Sequence, residues 1–146
     1  MKIKIKKLND KAVVPTYGTA NAAGADLYAC IDGEVTVKPH ETKMINTGIA
    51  LELPHDYAGF VFARSGLSLK KGLAPANKVG VIDCDYRGEV MVSLHNHSEV
   101  PQTVSYGDRI AQLVIMPYIT AEFVEAAELS ATDRGEGGFG STDKRA

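Results

Sequence analysis

The sequence lacks several features that would assign it to a large class of proteins. It has only two cysteines, Cys30 and Cys84, and their spacing matches no metal-ligand motif, so we expect two reduced thiols. Its 16 basic and 18 acidic residues give a formal charge of −2, which leaves no basic excess for sequence-independent binding of nucleic acid. No apolar run approaches the roughly 20 residues of a membrane-spanning helix.

Composition and the N-terminal sequence narrow the class further. The chain has 146 residues, of which 45% are hydrophobic and 23% charged, as expected for one globular domain and not for a disordered or fibrous chain. Residues 1–7 alternate lysine with isoleucine and contain no apolar block typical of a secretory signal. We therefore expect a cytoplasmic protein that needs neither a membrane nor nucleic acid.

Hydrophobic residues recur mainly with a period of two, which is typical of β-strands. Turn signals such as Asp32-Gly33 and Gly107-Asp108 separate these runs, and the pattern favours an all-β sandwich, jelly roll or barrel. One short helix is predicted from Ser65, ending at Gly72. Residues 121–129 fit either a further helical turn or a strand. The clearest strand predictions cover residues 45–53, 57–63, 90–94 and 110–119.

The C-terminal sequence has a different composition from the rest of the chain. Residues 130–146 contain four glycines and one large apolar side chain, Phe139, so they cannot bury enough surface to offset the entropy of ordering. We therefore predict a β domain over residues 1–129 and a mobile tail over residues 130–146. The glycines at 135–140 match G-x-G-x-x-G, but only six residues follow, which excludes a dinucleotide-binding fold.

Two interpretations of this tail remain open. It is either a frayed terminus or a segment whose consecutive glycines let backbone N–H groups approach phosphate oxygens. A frayed terminus does not explain why Arg134 and Phe139 lie among the glycines, a composition suited to closing over a flat, anionic ligand.

Three internal segments carry residues suited to chemistry. After a predicted strand, Arg64 offers a planar fork for phosphate; the alternative is an ordinary loop with a surface arginine. Residues 80–88 are predicted to form a hairpin turn whose backbone reads a base edge, with Asp83 as a general base and Tyr86 against a sugar; the alternative is a polar turn. His95 and His97 share one face of a predicted strand, but two exposed histidines are favoured over a zinc site without a third ligand.

Five segments, taken in order, resemble the five motifs of the trimeric deoxyuridine triphosphatases (dUTPases), and the resemblance covers almost the whole chain. Since all five occur in the family's order, the chain is identified as a member of that family. The segments are AGADLYA (23–29), ARSGL (63–67), GVIDCDYRGEV (80–90), GDRIAQLVI (107–115) and RGEGGFGST (134–142).

This resemblance implies a fold, an assembly and a reaction. The implied fold is a β jelly roll of the β-clip type, and the implied assembly is a homotrimer whose active sites are shared between subunits, each tail closing over a neighbour's site. The implied reaction is Mg²⁺-dependent hydrolysis of dUTP to dUMP and pyrophosphate. Such an activity limits uracil incorporation into DNA and supplies dUMP for dTTP synthesis.

The resemblance also implies roles for individual residues. Asp83 resembles the acid that deprotonates the water attacking the α-phosphorus, and Tyr86 resembles the ring that packs under deoxyribose. Asp26 resembles a structural acid that orders metal-bound water, while Mg²⁺ itself is held mainly by the substrate phosphates. The implied substrate-binding residues are Asn77, Val81, Ile82, Asp83 and Met91 for the nucleoside; Arg64, Ser65, Gly66 and Gln112 for phosphate; Arg134 for the γ-phosphate; Phe139 for stacking on uracil; and Gly140, Ser141 and Thr142 for wrapping the phosphates.

Two positions depart from the family pattern, and three other functions are compatible with parts of the sequence. Asp143 stands where glycine is common after the final Ser-Thr, and Cys84 stands where a small polar residue is common. The alternatives are a deoxycytidine triphosphate deaminase on the same fold, a nucleotide-binding module without turnover, and a structural trimer without a ligand. Tyr86 and the sequence GGFGST favour the dUTPase.

Overall fold

The computed structural model describes residues 1–138, and this part of the chain is almost entirely β-structure. It confirms the all-β prediction, including the single short helix. The elements are β1 (Lys4–Lys7), β2 (Thr16–Tyr17), β3 (Ala25–Tyr28), β4 (Glu34–Val37), β5 (Thr42–Asn46), β6 (Ile49–Glu52), β7 (Tyr57–Phe62), α1 (Ser65–Lys71), β8 (Leu73–Pro75), β9 (Gly80–Ile82), β10 (Met91–Asn96), β11 (Gln102–Ser105) and β12 (Arg109–Pro117).

Antiparallel pairing assembles the strands into four small sheets. The largest has the order β2-β3-β12-β7-β9, and a three-stranded sheet has the order β5-β10-β8. The remaining pairs are β1 with β6 and β4 with β11. Because neighbours in these sheets are distant in sequence, the chain crosses repeatedly between layers, as in a jelly roll.

The core forms where alternate strand residues point inward. In β10, Val92, Leu94 and Asn96 are buried while the residues between them are less so, as a period of two requires. The buried Asn96 is satisfied because its Nδ2 donates to the carbonyls of Val37 (3.0 Å) and Val100 (2.8 Å). Burial of these side chains positions the strand ends that carry polar residues.

The helix begins and ends close to where the sequence predicts. It follows β7 directly, with Arg64 as the N-cap in an extended conformation. Gly72 ends it in the left-handed region (φ 64°) and donates its N–H to the Ser68 carbonyl (2.9 Å). The helix buries no residue completely, but its Leu67 side chain is partly buried and packs against the core.

Residues 118–138 form neither helix nor strand, so both predictions for residues 121–129 are wrong. Ile119, Phe123, Val124 and Leu129 are between 78% and 96% exposed, because no other residue among 1–138 covers them. The last strand ends at Pro117, and the boundary at residue 129 stays a prediction. Within residues 1–138, no helix is long and apolar enough to cross a membrane.

Candidate active site

Six of the predicted nucleoside-binding residues line one pocket of about 260 Å³, which we call the β9 pocket. β9 is the edge strand of the five-stranded sheet, so alternate backbone N–H and C=O groups point away from β7. Those groups are available to a planar ligand that carries its own donors and acceptors. The six residues are Asn77, Val81, Ile82, Asp83, Tyr86 and Met91.

The predicted hairpin over residues 80–88 is wrong. β9 pairs with β7, whereas β10, the next strand, pairs with β5 and β8 in another sheet. The intervening residues, here called the 83–90 loop, therefore cross from one sheet to the other. The pocket opens between the two sheets, with Asp83 at the end of β9 and Met91 at the start of β10.

Hydrogen bonds within the 83–90 loop give it a defined shape. The Tyr86 amide donates to the Asp83 carbonyl (3.2 Å), which closes a turn. Arg87 Nη1 donates to the carbonyls of Cys84 (2.7 Å) and Tyr86 (3.0 Å). The Tyr86 hydroxyl donates to the Glu89 carbonyl (3.0 Å), which places the ring across Gly88, where any side chain would overlap it.

The Cys84 thiol connects the 83–90 loop to the residue that follows β12. Cys84 Sγ lies 3.5 Å from the Tyr118 hydroxyl, just beyond β12. The hydrogen bond with Cys84 raises the pKa of Tyr118, and desolvation and the carboxylates of Asp56 and Asp83 act in the same direction. Tyr118 therefore stays neutral at neutral pH.

A second group of predicted residues surrounds the buried Asp26, and we call it the Asp26 cluster. The Asp26 carboxylate accepts hydrogen bonds from Arg64 Nε (2.7 Å) and Arg109 Nη1 (3.2 Å). Gln112 faces Asp26 across the β3–β12 pairing. Asp26 is only 4% exposed, so its charge fixes the direction of both guanidinium groups.

The Asp26 cluster opens onto a basic surface depression of about 440 Å³. Ser65 and Gly66 form the first turn of α1 and are exposed beside it. Its lining includes Arg64, Gly66, Lys70, Lys71 and Arg109, with Asp108 as the one acidic member. The excess of positive charge suits a polyanion such as a phosphate chain.

Asp83 and the Asp26 cluster lie toward opposite ends of β7, and the β9 pocket extends along the strand as far as Val61. Gly59 pairs with Ile82, next to Asp83, while Arg64 follows the far end of the strand. Gly59 and Arg64 are five positions apart in the chain, which corresponds to about 17 Å at the usual rise per residue of a strand. One subunit therefore does not bring Asp83 and Arg64 together.

The remaining predicted residues lie in neither group. Arg134 is exposed, and its Nε donates to the Gly137 carbonyl (2.7 Å) in a local turn. Phe139, Gly140, Ser141 and Thr142 lie outside the described residues, as does Asp143.

The histidine pair and the cysteines form no metal centre in the described part of the chain. The rings of His95 and His97 are 4.4 Å apart, but no group of three or more metal-ligating side chains occurs among residues 1–138. Burial, followed by the charges of His95, Lys78 and His40, lowers the pKa of His97. Both Cys30 and Cys84 are free.

Sequence reasoning missed three residues that the structure places at the two groups. Arg109 pairs with Asp26, Tyr118 contacts Cys84, and Glu89 lines the β9 pocket. Arg109 and Glu89 lie inside two of the five motifs given above, and this position was the only indication in the sequence that they belong to the site. Their partners are too distant in sequence for any local pattern to reveal.

The protein is thus a β jelly roll whose edge-strand pocket and separate basic depression suit a flat, anionic ligand such as a nucleotide. The dUTPase family model matches residues 10–143. The chain therefore belongs to the dUTPase family.

Individual relatives agree with this assignment. The deoxyuridine 5'-triphosphate nucleotidohydrolase of Syntrophotalea carbinolica is 52% identical over 96% of this chain and 95% of its own length. The protein of that name from Hydrogenobaculum sp. is 49% identical over 97% and 98%. Among solved structures, a variant of the Staphylococcus bacteriophage 80alpha dUTPase with dUpNHpp has a TM-score of 0.89 and 28% identity, covering 97% of this chain and 98% of the other.

Proposed function

We propose that this chain hydrolyses dUTP to dUMP and pyrophosphate, with Asp83 activating the attacking water. The observation that carries the proposal is the β9 pocket, where a carboxylate, an aromatic ring and a free strand edge meet. Such an activity lowers dUTP, limits uracil incorporation into DNA and supplies dUMP for dTTP synthesis. The two free thiols support a reducing, cytoplasmic location.

Base selection is assigned to the backbone of β9. Around Val81 and Ile82, the outer edge of the strand offers N–H and C=O groups in a fixed alternation, which matches the acceptors and donor of uracil. Cytosine has an acceptor at N3 and a donor amino group at C4, the reverse of uracil at both positions, and would leave buried groups unpaired. A base seated directly on the backbone also leaves no room for the 5-methyl group of thymine.

Tyr86 and Asp83 are assigned to the sugar and the α-phosphate. The Tyr86 ring lies across the 83–90 loop with its hydroxyl occupied by Glu89, so its face is available to pack against deoxyribose. Packing of the ring under C2′ excludes a 2′-hydroxyl. Asp83 is exposed at the pocket, where its carboxylate can hold a water and accept its proton.

The Asp26 cluster is assigned to the phosphate chain. Arg64, Ser65 and Gly66 supply a guanidinium, a hydroxyl and a backbone N–H beside a basic depression, and Gln112 lies on the adjacent strand. Both Asp26 oxygens accept from arginines, which supports a structural role for this acid; a role in ordering metal-bound water remains a prediction.

Mg²⁺ is assigned to the substrate rather than to a protein cage. Residues 1–138 contain no group of three or more side chains placed to hold a metal ion, so phosphate oxygens would supply most of the ligands. When bound, the ion offsets charge on the departing pyrophosphate. The guanidinium group of Arg64 would also offset negative charge on the departing pyrophosphate.

A shared active site reconciles the two separated groups. Because Asp83 and Arg64 lie at opposite ends of β7, a triphosphate bound in the β9 pocket needs the Asp26 cluster of another subunit. The exposed apolar residues of segment 118–129 support association, since such surface is unfavourable in a monomer. We propose a homotrimer in which the tail, residues 130–146, closes over a neighbour's site, with Arg134, Phe139, Gly140, Ser141 and Thr142 contacting substrate.

Mixed oligomers test this sharing. Asp83→Asn and Arg64→Gln should each be inactive alone. Co-expressed subunits should recover about a quarter of the wild-type sites, because in a random mixture about half of the sites receive an intact Asp83 and about half of those also receive an intact Arg64. Co-purification on two different tags verifies mixing. As a control, Asp83→Asn mixed with Tyr86→Ala should show no more activity than Tyr86→Ala alone. Verified mixed oligomers without recovery would contradict sharing.

A substrate panel tests the reaction and separates it from its rivals. With Mg²⁺, we expect dUMP and pyrophosphate from dUTP, and rates at least about 100-fold lower from dTTP, dCTP and UTP, since mismatched buried polar groups discriminate strongly. Chromatography of nucleotides and a pyrophosphate assay measure this. Ammonia from dCTP would indicate a deaminase, and a folded protein without turnover would indicate a binding module.

A further inference from the structure

The side chain of Glu89 connects the 83–90 loop to a different part of the fold. Its Oε1 accepts a hydrogen bond from the Gly48 amide (2.7 Å), and its Oε2 accepts one from Asn46 Nδ2 (2.8 Å). Asn46 is the last residue of β5 and Gly48 lies in the turn between β5 and β6, and both are more than 40 residues earlier in the chain. Hydrogen bonds to an ionised carboxylate are about twice as strong as neutral ones.

The turn that receives Glu89 is rigid. Gly48 adopts the left-handed region (φ 71°), and a Cβ there would approach Ala12 Cβ at 2.8 Å and Cys30 Sγ at 2.9 Å. This residue must therefore be glycine, and its N–H direction is fixed by close packing. Glu89 is thus tied to a point that cannot move with the loop.

The main chain of Glu89 is also the acceptor that orients Tyr86. The Tyr86 hydroxyl donates to the Glu89 carbonyl (3.0 Å). The peptide group between Glu89 and Val90 is also held by the Val90 N–H, which donates to the Ile49 carbonyl (2.8 Å), while the Val90 carbonyl accepts from Thr47 Oγ1. Loss of the Glu89 carboxylate would therefore leave this peptide held only on its Val90 side, so that it can tilt about that hydrogen bond and shift the carbonyl that orients the ring.

We propose that Glu89 is a positioning residue that fixes the Tyr86 ring and thereby sets discrimination between deoxyribose and ribose. This inference rests on the proposed function, because it assigns Tyr86 to the sugar. Glu89 touches no reacting atom; it acts through Tyr86. Its contribution is to specificity and substrate affinity, and less to the chemical step.

Four variants of the full chain test the inference: Glu89→Ala, Glu89→Gln, Tyr86→Ala and Glu99→Ala. In Glu89→Ala, the ratio of kcat/KM for dUTP over UTP should fall about tenfold, mainly through KM for dUTP, as loss of hydrogen bonds to a charged group predicts. Glu89→Gln should recover most of the ratio, since its amide oxygen still accepts from Gly48. Glu99→Ala, an exposed carboxylate on the β10–β11 connection, should leave the ratio unchanged.

Amide hydrogen exchange supplies a readout that does not depend on activity. In Glu89→Ala, exchange should accelerate in residues 46–49 and 83–90 and stay unchanged in the other strands. Acceleration throughout the protein, or an equal fall in activity on both nucleotides, would show a merely structural role and overturn the inference. If Tyr86→Ala loses the preference while Glu89→Ala keeps it, the inference fails and the proposed function stands; if the wild type does not hydrolyse dUTP, the proposed function itself fails.

Discussion

Replacing Asp83 by asparagine should lower kcat for dUTP by about 10³-fold, the usual contribution of a positioned general base. Asparagine keeps the shape of the side chain at the mouth of the β9 pocket but cannot accept the proton of the attacking water. Affinity for the analogue dUpNHpp should change by less than about threefold, since uracil, sugar and phosphate contacts are assigned to other groups. Single-turnover kinetics and calorimetry measure the two quantities.

The matched control is Asp85→Asn, which removes an equally exposed carboxylate from the same loop. Asp85 does not line the β9 pocket, so its loss should leave kcat within about twofold. Equal losses of kcat and affinity in Asp83→Asn would show that Asp83 serves binding and not catalysis. Equal effects of Asp83→Asn and Asp85→Asn would show that both residues contribute only negative charge to this loop.

Deleting residues 134–146 should lower kcat/KM for dUTP by at least about 100-fold without unfolding the protein. The loss follows if the tail excludes water and contacts phosphate and uracil in the closed site. Stability should be retained because every buried core residue among residues 1–138 precedes residue 114. We expect the thermal midpoint to change by less than about 3 °C, because the described part of the deleted segment, residues 134–138, buries no side chain.

Deletion of residues 144–146 alone provides the control, because it leaves the sequence from Arg134 to Thr142 intact. This variant should keep kcat/KM within about threefold of the full chain, since no assigned contact is lost. Full activity after deletion of residues 134–146 would show that the site is complete without the tail. A folded but monomeric deletion variant would show that the segment serves assembly instead.

Local sequence patterns were sufficient to predict several of the elements. The alternation over 57–63 and 110–119 corresponds to β7 and β12, and Gly72 ends α1 as its backbone freedom allows. Residues 45–53 were predicted as one strand, but Gly48 (φ 71°) divides them into β5 and β6. A Cβ at Gly48 would come within 2.9 Å of Ala12 and Cys30, and no local pattern shows these distant neighbours.

The sequence did not allow us to predict which distant parts of the chain pair with each other. Two short apolar runs around a polar turn suggested a hairpin, yet β9 and β10 join different sheets, because alternation specifies a buried face and not a partner. The Asp26–Arg109 contact spans 83 residues and the Glu89–Gly48 contact 41. The division of the predicted site into two groups likewise depends on which strands become neighbours.

The measurement that tests the central claim most directly is hydrolysis of dUTP in ¹⁸O-labelled water with Mg²⁺, followed by mass spectrometry of both products. If a water activated by Asp83 attacks the α-phosphorus, one labelled oxygen enters dUMP and none enters pyrophosphate. Label in pyrophosphate would place the attack on the β-phosphorus. Release of inorganic phosphate and dUDP would show a different bond cleaved. Either result would contradict the role assigned to Asp83 in the β9 pocket.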